Sequence, residues 1–370
     1  LITPLKYRQK LQLAVQHQEV RALPDFTNCD LDFVSNDYLG VARMQFPNKE
    51  KYFFSGLGSR LIAGNSSSAL RTERFLSELF NVESALVFNS GYDANLGFFS
   101  TIPQKHEVVL YDQFIHASIR DGLRLCQAQS YSFRHNDLVD LEHKLVQFNG
   151  QSLIVVVEGV YSMDGDQAPL HQIMDLVERF GAYLVVDEAH SLGVLGQSAL
   201  GLSHEFYKHQ NLLARIVTFG KAVGAHGAAV LSNKDLCDYL VHACRSFIYT
   251  TALPPESYRR IEHCLNYVVS NNDLRTNLFQ IVDDFSQIFN CSQQYIQAIP
   301  FSGIQNLKML MKNAVDEKIA IKGVWSPTVP HGQERIRISL HAFNTTSEIT
   351  TLFNFFKKET PCMIDFLSVE

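Results

Sequence analysis

Long apolar runs are missing from this chain. The longest, such as LIVVV at 153–157, fall far short of the ~20 residues a helix needs to cross a bilayer. The opening stretch LITPLKYRQKLQLAVQHQEVRAL carries charge throughout and has no apolar centre of the signal-peptide kind. It predicts an amphipathic helix and a cytoplasmic protein. Paired cysteines are missing as well. The seven cysteines are scattered with no CxxC, which predicts free thiols in a reducing compartment and no metal site. The sequons at Asn65, Asn290 and Asn344 then carry no glycan. A basic excess is absent too: the net charge is −6, so nucleic acid is not an expected partner. No internal repeat or low-complexity block interrupts the chain.

What is present is 370 residues, 46% hydrophobic and 19% charged, enough for one large domain and a smaller companion. The middle alternates short β-rich runs with helical patterns. ALVF (85–88) precedes a helix from Tyr92, and EVVLYD (107–112) precedes one from about Ala117. SLIVVVEGV (152–160) precedes LHQIMDLVERF (170–180), and AYLVVDEAH, RIVTFG and GAAVLS follow. Unbroken Val/Ile/Leu runs predict strands buried on both faces, hence an α/β fold with a mostly parallel sheet covered by helices. RIVTFG and GAAVLS are close enough to pair antiparallel. After TTALPP (250–255) the texture changes. Two long helices over 256–271 and 273–289, a strand RIRISL and a last helix at 347–358 predict a smaller α+β domain. The expected division is an arm over 1–45, a large domain over 46–255 and a C-terminal domain over 256–370.

Asp187 ends a buried strand, at the sheet edge where open α/β proteins bind ligands. His190 follows three residues on. Lys221 stands in VTFGKAVGAHG among small and apolar residues, with no acidic neighbour in that window. Lost hydration disfavours its charged form, and a neutral amine attacks carbonyls. Gly220, Gly224 and Gly227 are expected to let a flat ring and the backbone approach closely. FNSGYDANLG (88–97) predicts a helix opening at Ser90, Gly91 and Tyr92, whose free N–H groups favour phosphate, with the Thr218 hydroxyl assisting. An aldehyde cofactor, pyridoxal phosphate (PLP), joins these observations. It needs a lysine, a carboxylate for its pyridine nitrogen and an anion site.

The sequence resembles the α-oxoamine synthases, a family of fold-type-I PLP transferases. The matching stretches are LDFVSNDYLG, GLGSRLIAGN, FNSGYDAN, DQFIHASI, VEGVYSMDGDQAPL, VVDEAHSLGVLG, VTFGKAVGAHGAAV, IYTTALPP and RIRISL, which cover nearly the whole chain. The resemblance implies that Lys221 carries the cofactor and Asp187 faces its pyridine nitrogen. It implies that His116 stacks on the ring and that Ser162 and His190 hydrogen-bond the phenolic oxygen. Gly91 and Tyr92 would hold the phosphate by backbone amides with Thr218, and Thr251 would reach a phosphate across a homodimer interface. Asn36 and Glu158 would lie near the site. Arg337 would bind the amino acid carboxylate as a fork, with Arg335 as the alternative.

The family condenses an amino acid with an acyl thioester carried by coenzyme A or acyl carrier protein. Within it, GAAV, VTFGK, IYTTALPP and SPTVP resemble the branch that joins L-alanine to a pimeloyl thioester on the way to biotin. Arg21 matches an arginine which that branch uses near its acyl substrate, and Thr328 matches a substrate-contacting threonine. Other branches use glycine or serine. Ala69 and Thr72 stand where the family often has histidine and leucine, and Ser66, Ser67 and Ser68 make that helix entry unusually polar. Readings outside the reaction are a catalytically silent PLP binder and a dinucleotide-dependent oxidoreductase suggested by GLGSRLIAG.

Overall fold

The computed structural model describes residues 9, 12–13, 15–16, 23–46, 55–326 and 328–360. Arg21 and most of the expected first helix lie outside the described residues. Contacts divide the chain into two compact units. The larger is Leu39–Ser162 with Asp166–Arg275, and the smaller takes the described residues up to Tyr38, Met163–Gly165 and everything from Thr276 on.

The first short strand, β1 (Leu31–Asp32), belongs to the smaller unit, and the larger unit follows. Its helices and strands are α1 (Ser67–Phe80), β2 (Ser84–Phe88), α2 (Gly91–Thr101), β3 (Glu107–Asp112), α3 (Ala117–Leu125), β4 (Gln129–Phe133) and α4 (Leu138–Gln147). Then come β5 (Ser152–Glu158), α5 (Leu170–Arg179), β6 (Tyr183–Asp187), β7 (Leu212–Thr218), β8 (Ala228–Ser232), α6 (Lys234–Ala243), α7 (Arg245–Ile248) and α8 (Pro255–Ser270). One seven-stranded sheet runs in the order β2-β8-β7-β6-β5-β3-β4. Only β8 opposes its neighbours, so the expected antiparallel pairing with β7 is present. The pleat explains the unbroken apolar runs. Val109, Ile154 and Val156 point into one hydrophobic cluster, while Val108, Leu110, Val155 and Val157 point into the other. Helices cover both faces, so both sets are buried.

Four larger-unit elements, β4, α4, α6 and α7, escape the sequence reading. β4, QSYSF, is the edge strand, and four of its five residues stay exposed or half-buried. An edge strand covered so thinly has no apolar run to announce it. α4 follows it on an Asp137 cap and buries only Leu141 and Leu145. The boundary also differs from the texture change at Pro254 and Pro255. α8 packs on α1 inside the larger unit, where the buried Thr72 hydroxyl donates to the Tyr258 carbonyl at 3.2 Å. Thr72 also bonds Glu262. The division falls instead at Arg275/Thr276, within α9 (Asn272–Phe289).

The smaller unit adds β9 (Ile296–Pro300), α10 (Ile304–Asp316), β10 (Ile319–Ala320), β11 (Lys322–Val324), β12 (Arg335–Ser339) and α11 (Thr346–Glu359). β11, β12 and β9 form an antiparallel sheet in that order, and β1 pairs with β10 in parallel. α10 has no counterpart in the sequence reading, though it buries Leu307, Leu310 and Ala314 at helical spacing. α11 starts on a reciprocal capping box between Thr345 and Glu348. Its Phe356 packs edge-on to Phe289, which stacks on Phe285 at 4.2 Å.

Candidate active site

The parallel strands of the larger unit deliver polar side chains to one edge. Asp112, Glu158, Asp187 and Thr218 are the last residues of β3, β5, β6 and β7. Glu158 is in register with Asp187, and Asp187 with Ile216. These are the carboxyl ends of the strands, where this class of sheet presents ligand-binding groups.

Asp187 is 4% exposed. Its Oδ1 accepts from the Ala189 amide at 2.9 Å and its Oδ2 from Asn95 Nδ2 at 2.7 Å, so two donors set the plane of the carboxylate. Asn95 lies one turn into α2 from Gly91. Its Nδ2 also reaches Ser118 Oγ at 3.0 Å, and Ser118 Oγ lies 2.7 Å from His116 Nδ1. The Ser118 amide donates to the same Nδ1 at 3.2 Å. With donors converging on Nδ1, the ring's proton sits on Nε2. His116 is accessible at the start of α3, as a face must be if a flat ring is to cover it. The protein around it still desolvates the imidazole and holds it below its usual range; Asp187 opposes that shift and Lys221 adds to it. Glu158 is buried, and that burial, with the Asp187 charge beside it, raises its carboxyl well above the usual range, while Lys221 pulls the other way. Its Oε1 has no hydrogen-bond partner among the described residues.

The charge of Lys221 is thus felt by both His116 and Glu158, and its loop follows Thr218 at the end of β7. The lysine stands half-buried on the β7–β8 loop, which the Phe219 amide closes by donating a hydrogen bond to Gly227 O at 2.9 Å. Two of the three glycines around it are required by the chain's own packing. Gly224 has φ +68° and its added Cβ would stand 2.4 Å from the Ala42 amide nitrogen. Gly227 has φ +121° against Leu253 and Ile261. Gly224 thus lets backbone approach closely, Gly227 faces side chains, and a Cβ on Gly220 would make only ordinary contact, with Ala225 O at 3.7 Å. His190 is buried just past Asp187, and Ser162 is half-buried past β5.

Ser90 caps α2, accepting from the Asp93 amide at 3.1 Å, which leaves the first amides of the helix facing out. A Cβ on Gly91 would touch the Thr218 side chain at 3.5 Å, so the helix start and the end of β7 form one cradle. Tyr92 is exposed and its hydroxyl bonds Asp121. Thr251 is exposed beside Asn89, whose Nδ2 donates to the Thr251 carbonyl at 2.7 Å.

In the smaller unit Arg337 is 7% exposed on β12. Its Nη1 donates to Ser339 Oγ at 2.8 Å, and its Nη2 to Asn36 Oδ1 at 3.0 Å and Tyr38 Oη at 3.3 Å. Burial pushes the Tyr38 phenol up to about 12, so it stays neutral beside the guanidinium. Arg335, the alternative, is instead ion-paired to Asp164. Thr328 is exposed on the loop after β11.

The donor set suits PLP: an amine, a fixed buried carboxylate, an accessible imidazole and a helix N-terminus with a threonine hydroxyl. The family described as aminotransferase class I and II matches residues 30–356. The chain belongs to that family. Curated relatives include 8-amino-7-oxononanoate synthases from Emericella nidulans, 32% identical with 95% of each chain covered, and from Lysinibacillus sphaericus, 31% identical with 95% and 97% covered. Among solved structures, a serine palmitoyltransferase from S. paucimobilis with a bound PLP–myriocin aldimine aligns at TM-score 0.85 and 25% identity, covering 97% of this chain and 98% of that one. An 8-amino-7-oxononanoate synthase from Francisella tularensis aligns at TM-score 0.74 and 28% identity, covering 90% and 98%. Together these make the chain a fold-type-I member of the α-oxoamine synthases, with PLP as its cofactor. No described helix is long and apolar enough to cross a membrane, and no disulfide joins any of the six described cysteines.

Sequence reasoning passed over Asn95 and Ser118 as site residues. Their signal was available: Asn95 closes the quoted FNSGYDAN stretch, four residues after Gly91 and so on the same helix face.

Proposed function

We propose that the protein condenses L-alanine with a pimeloyl thioester, releasing CO₂ and the free thiol and giving 8-amino-7-oxononanoate. The observation that carries this is the edge of the larger unit's sheet, where Asp187, held by Asn95 and the Ala189 amide, lies with Lys221 and His116. Relatives named as synthases of that product support this reading. Bound PLP supplies an electron sink for the carbanion left when the amino acid loses its Cα proton. Lys221 holds the cofactor's aldehyde end and takes that proton at Nζ. Asp187 keeps a proton on the pyridine nitrogen, and its two fixed donors stop it from swinging away. His116 covers the ring and polarises the thioester carbonyl through Nε2–H. Ser162 and His190 donate to the phenolic oxygen. The α2 N-terminus, with Gly91, Tyr92 and Thr218, holds the phosphate. Arg337 offers its fork to the amino acid carboxylate, oriented by Asn36 and Tyr38. Arg21 and Thr328 meet the acyl chain.

A second copy of the chain completes the reading, with Thr251 reaching the partner's phosphate. Leu57, Leu61, Ile62 and Tyr249 are exposed around it, and the Ala252 amide bonds Gly58 O at 2.9 Å, which joins those two segments. Exposed apolar groups gathered in this way suit an interface between copies.

Purified protein with PLP, L-alanine and pimeloyl thioester should yield 8-amino-7-oxononanoate by mass spectrometry. Coenzyme A and acyl carrier protein esters run in parallel identify the carrier. The serine palmitoyltransferase likeness favours a second reading, a branch that takes serine and a long acyl chain. Turnover confined to serine or glycine overturns the alanine assignment. Arg337→Ala should raise the KM for the amino acid by on the order of 10- to 100-fold, the equivalent of about 1.5–3 kcal/mol for a charged hydrogen bond. Arg337→Lys should recover little, because it keeps the charge and loses the fork. An unchanged amino acid KM in Arg337→Ala removes that role.

A further inference from the structure

A second cluster in the larger unit is used by none of these steps. His135, just past β4, lies between two carboxylates. Its Nδ1 is 3.0 and 3.1 Å from the two oxygens of Asp112, and its Nε2 is 2.7 Å from Asp166 Oδ2. A neutral imidazole donates from one nitrogen only, so two carboxylate partners call for the imidazolium. Burial pulls His135 down, but the carboxylates outweigh it and raise it to about 9. The Asp112 side chain is fully buried.

The same carboxylates hold backbone. Asp112 accepts the Phe114 amide at 2.8 Å and the Asn136 amide at 2.9 Å. Asn136, at φ +52°, donates its side chain to Asp166 at 2.7 Å. The Asp166 carbonyl takes the Tyr161 amide at 2.9 Å. The His135 ring lies 4.5 Å from that of Phe114 and edge-on to Tyr161, also at 4.5 Å. Phe114 stands two residues before His116, and Tyr161 stands next to Ser162.

We propose that His135 is a positioning residue: as a cation bridging Asp112 and Asp166 it locks the β3–α3 turn to the turn after β5, and so keeps His116 and Ser162 in place against the cofactor. This rests on the reading that those two residues face the cofactor. The charged groups facing the ring are Asp112 from β3 and Asp166 from the turn before α5. Tyr161, the remaining titratable neighbour, is held neutral by burial, and Phe114 and Asn136 carry no charge. Because folding raises the His135 pKa, the clamp's contribution is complete below the unfolded value of about 6.5 and is lost as pH rises through about 9.

The test compares the holoenzyme with His135→Gln, Asp166→Asn and Ser162→Ala, reading the visible absorbance of the bound cofactor, kcat, KM and far-UV circular dichroism. Asp166 is half-buried, so Asp166→Asn guards against a His135 variant that fails to fold. Both clamp variants should keep the fold, shift the cofactor band in the direction that Ser162→Ala shifts it, and lower kcat by on the order of 10- to 100-fold with amino acid KM little changed, as small misplacements of a site do. If Ser162→Ala shifts the band while both clamp variants keep the wild-type band and kcat, the clamp positions nothing and the proposal is overturned alone. If Ser162→Ala itself leaves the band unmoved, the assignment of Ser162 to the cofactor falls, and the proposal falls with it.

Discussion

Lys221→Ala is expected to abolish the visible band of the bound cofactor and to lower turnover by on the order of 10²–10⁴-fold, the range for losing a positioned proton-transfer group. The reason is local. The charge of Lys221 acts on both His116 and Glu158, so its amine stands near both groups and is the one placed to move the proton. Lys221→Arg separates charge from chemistry, since a guanidinium keeps the cation but neither deprotonates nor joins an aldehyde. It should be as inactive as the alanine variant. A variant that kept its band, or turned over within about tenfold of wild type, a loss smaller than proton-transfer groups cause, would show that the amine does neither job.

Glu188→Ala is expected to cost about 3–5 kcal/mol of stability, the range for stripping one partner from a buried ion pair. Glu188 is fully buried beside the carboxylate of interest, and Arg215, 1% exposed, lies 3.7 Å from it. The glutamate accepts the Leu202 amide at 3.1 Å, the Ser203 amide at 2.6 Å, and the hydroxyls of Ser191 and Ser203. Arg215 donates to Ser203 Oγ at 2.9 Å and to the Leu200 carbonyl, and its guanidinium sits 5.2 Å from the Phe80 ring centre. Gly159 and Gly201 press on the Glu188 carboxylate so closely that neither could carry a Cβ without a shift. Removing the acid leaves a buried cation and two orphaned amides. Denaturant unfolding measures the loss, and the paired variant Glu188→Leu/Arg215→Met should recover much of it because it leaves no lone charge. A single variant as stable as wild type would mean that water reaches Arg215 after all. Asp187 and His190 flank Glu188 in the chain, so this ion pair also supports the turn that carries them.

VVDEAH shows how far the sequence alone reaches. Its valines announce a strand buried on both faces, and Asp187 at the end of that run announces a ligand edge. Glu188 gives no comparable signal. Its partner Arg215 belongs to a strand far along the chain, and only the pairing of β6 with β7 brings them together. His135 is silent for the same reason, because Asp112 and Asp166 come from two other segments. The glycines are a conformational case: positive φ at Gly224 and Gly227 answers to the Ala42 backbone and to Leu253, and nothing in VTFGKAVGAHG names those neighbours.

The sequence by itself determined the strand-and-helix alternation, the antiparallel turn from β7 to β8, and the lysine, aspartate and histidines that announce the cofactor. Those signals are periodicity and short motifs, which the local chain carries whole. The tertiary structure alone decided that Arg335 pairs with Asp164 while Arg337 lies among Asn36, Tyr38 and Ser339. It also decided that α8 packs with the larger unit, and that Asn95 and Ser118 link His116 to Asp187. Each depends on which distant group fills the space beside a side chain, and that is set by packing rather than by neighbours in the chain.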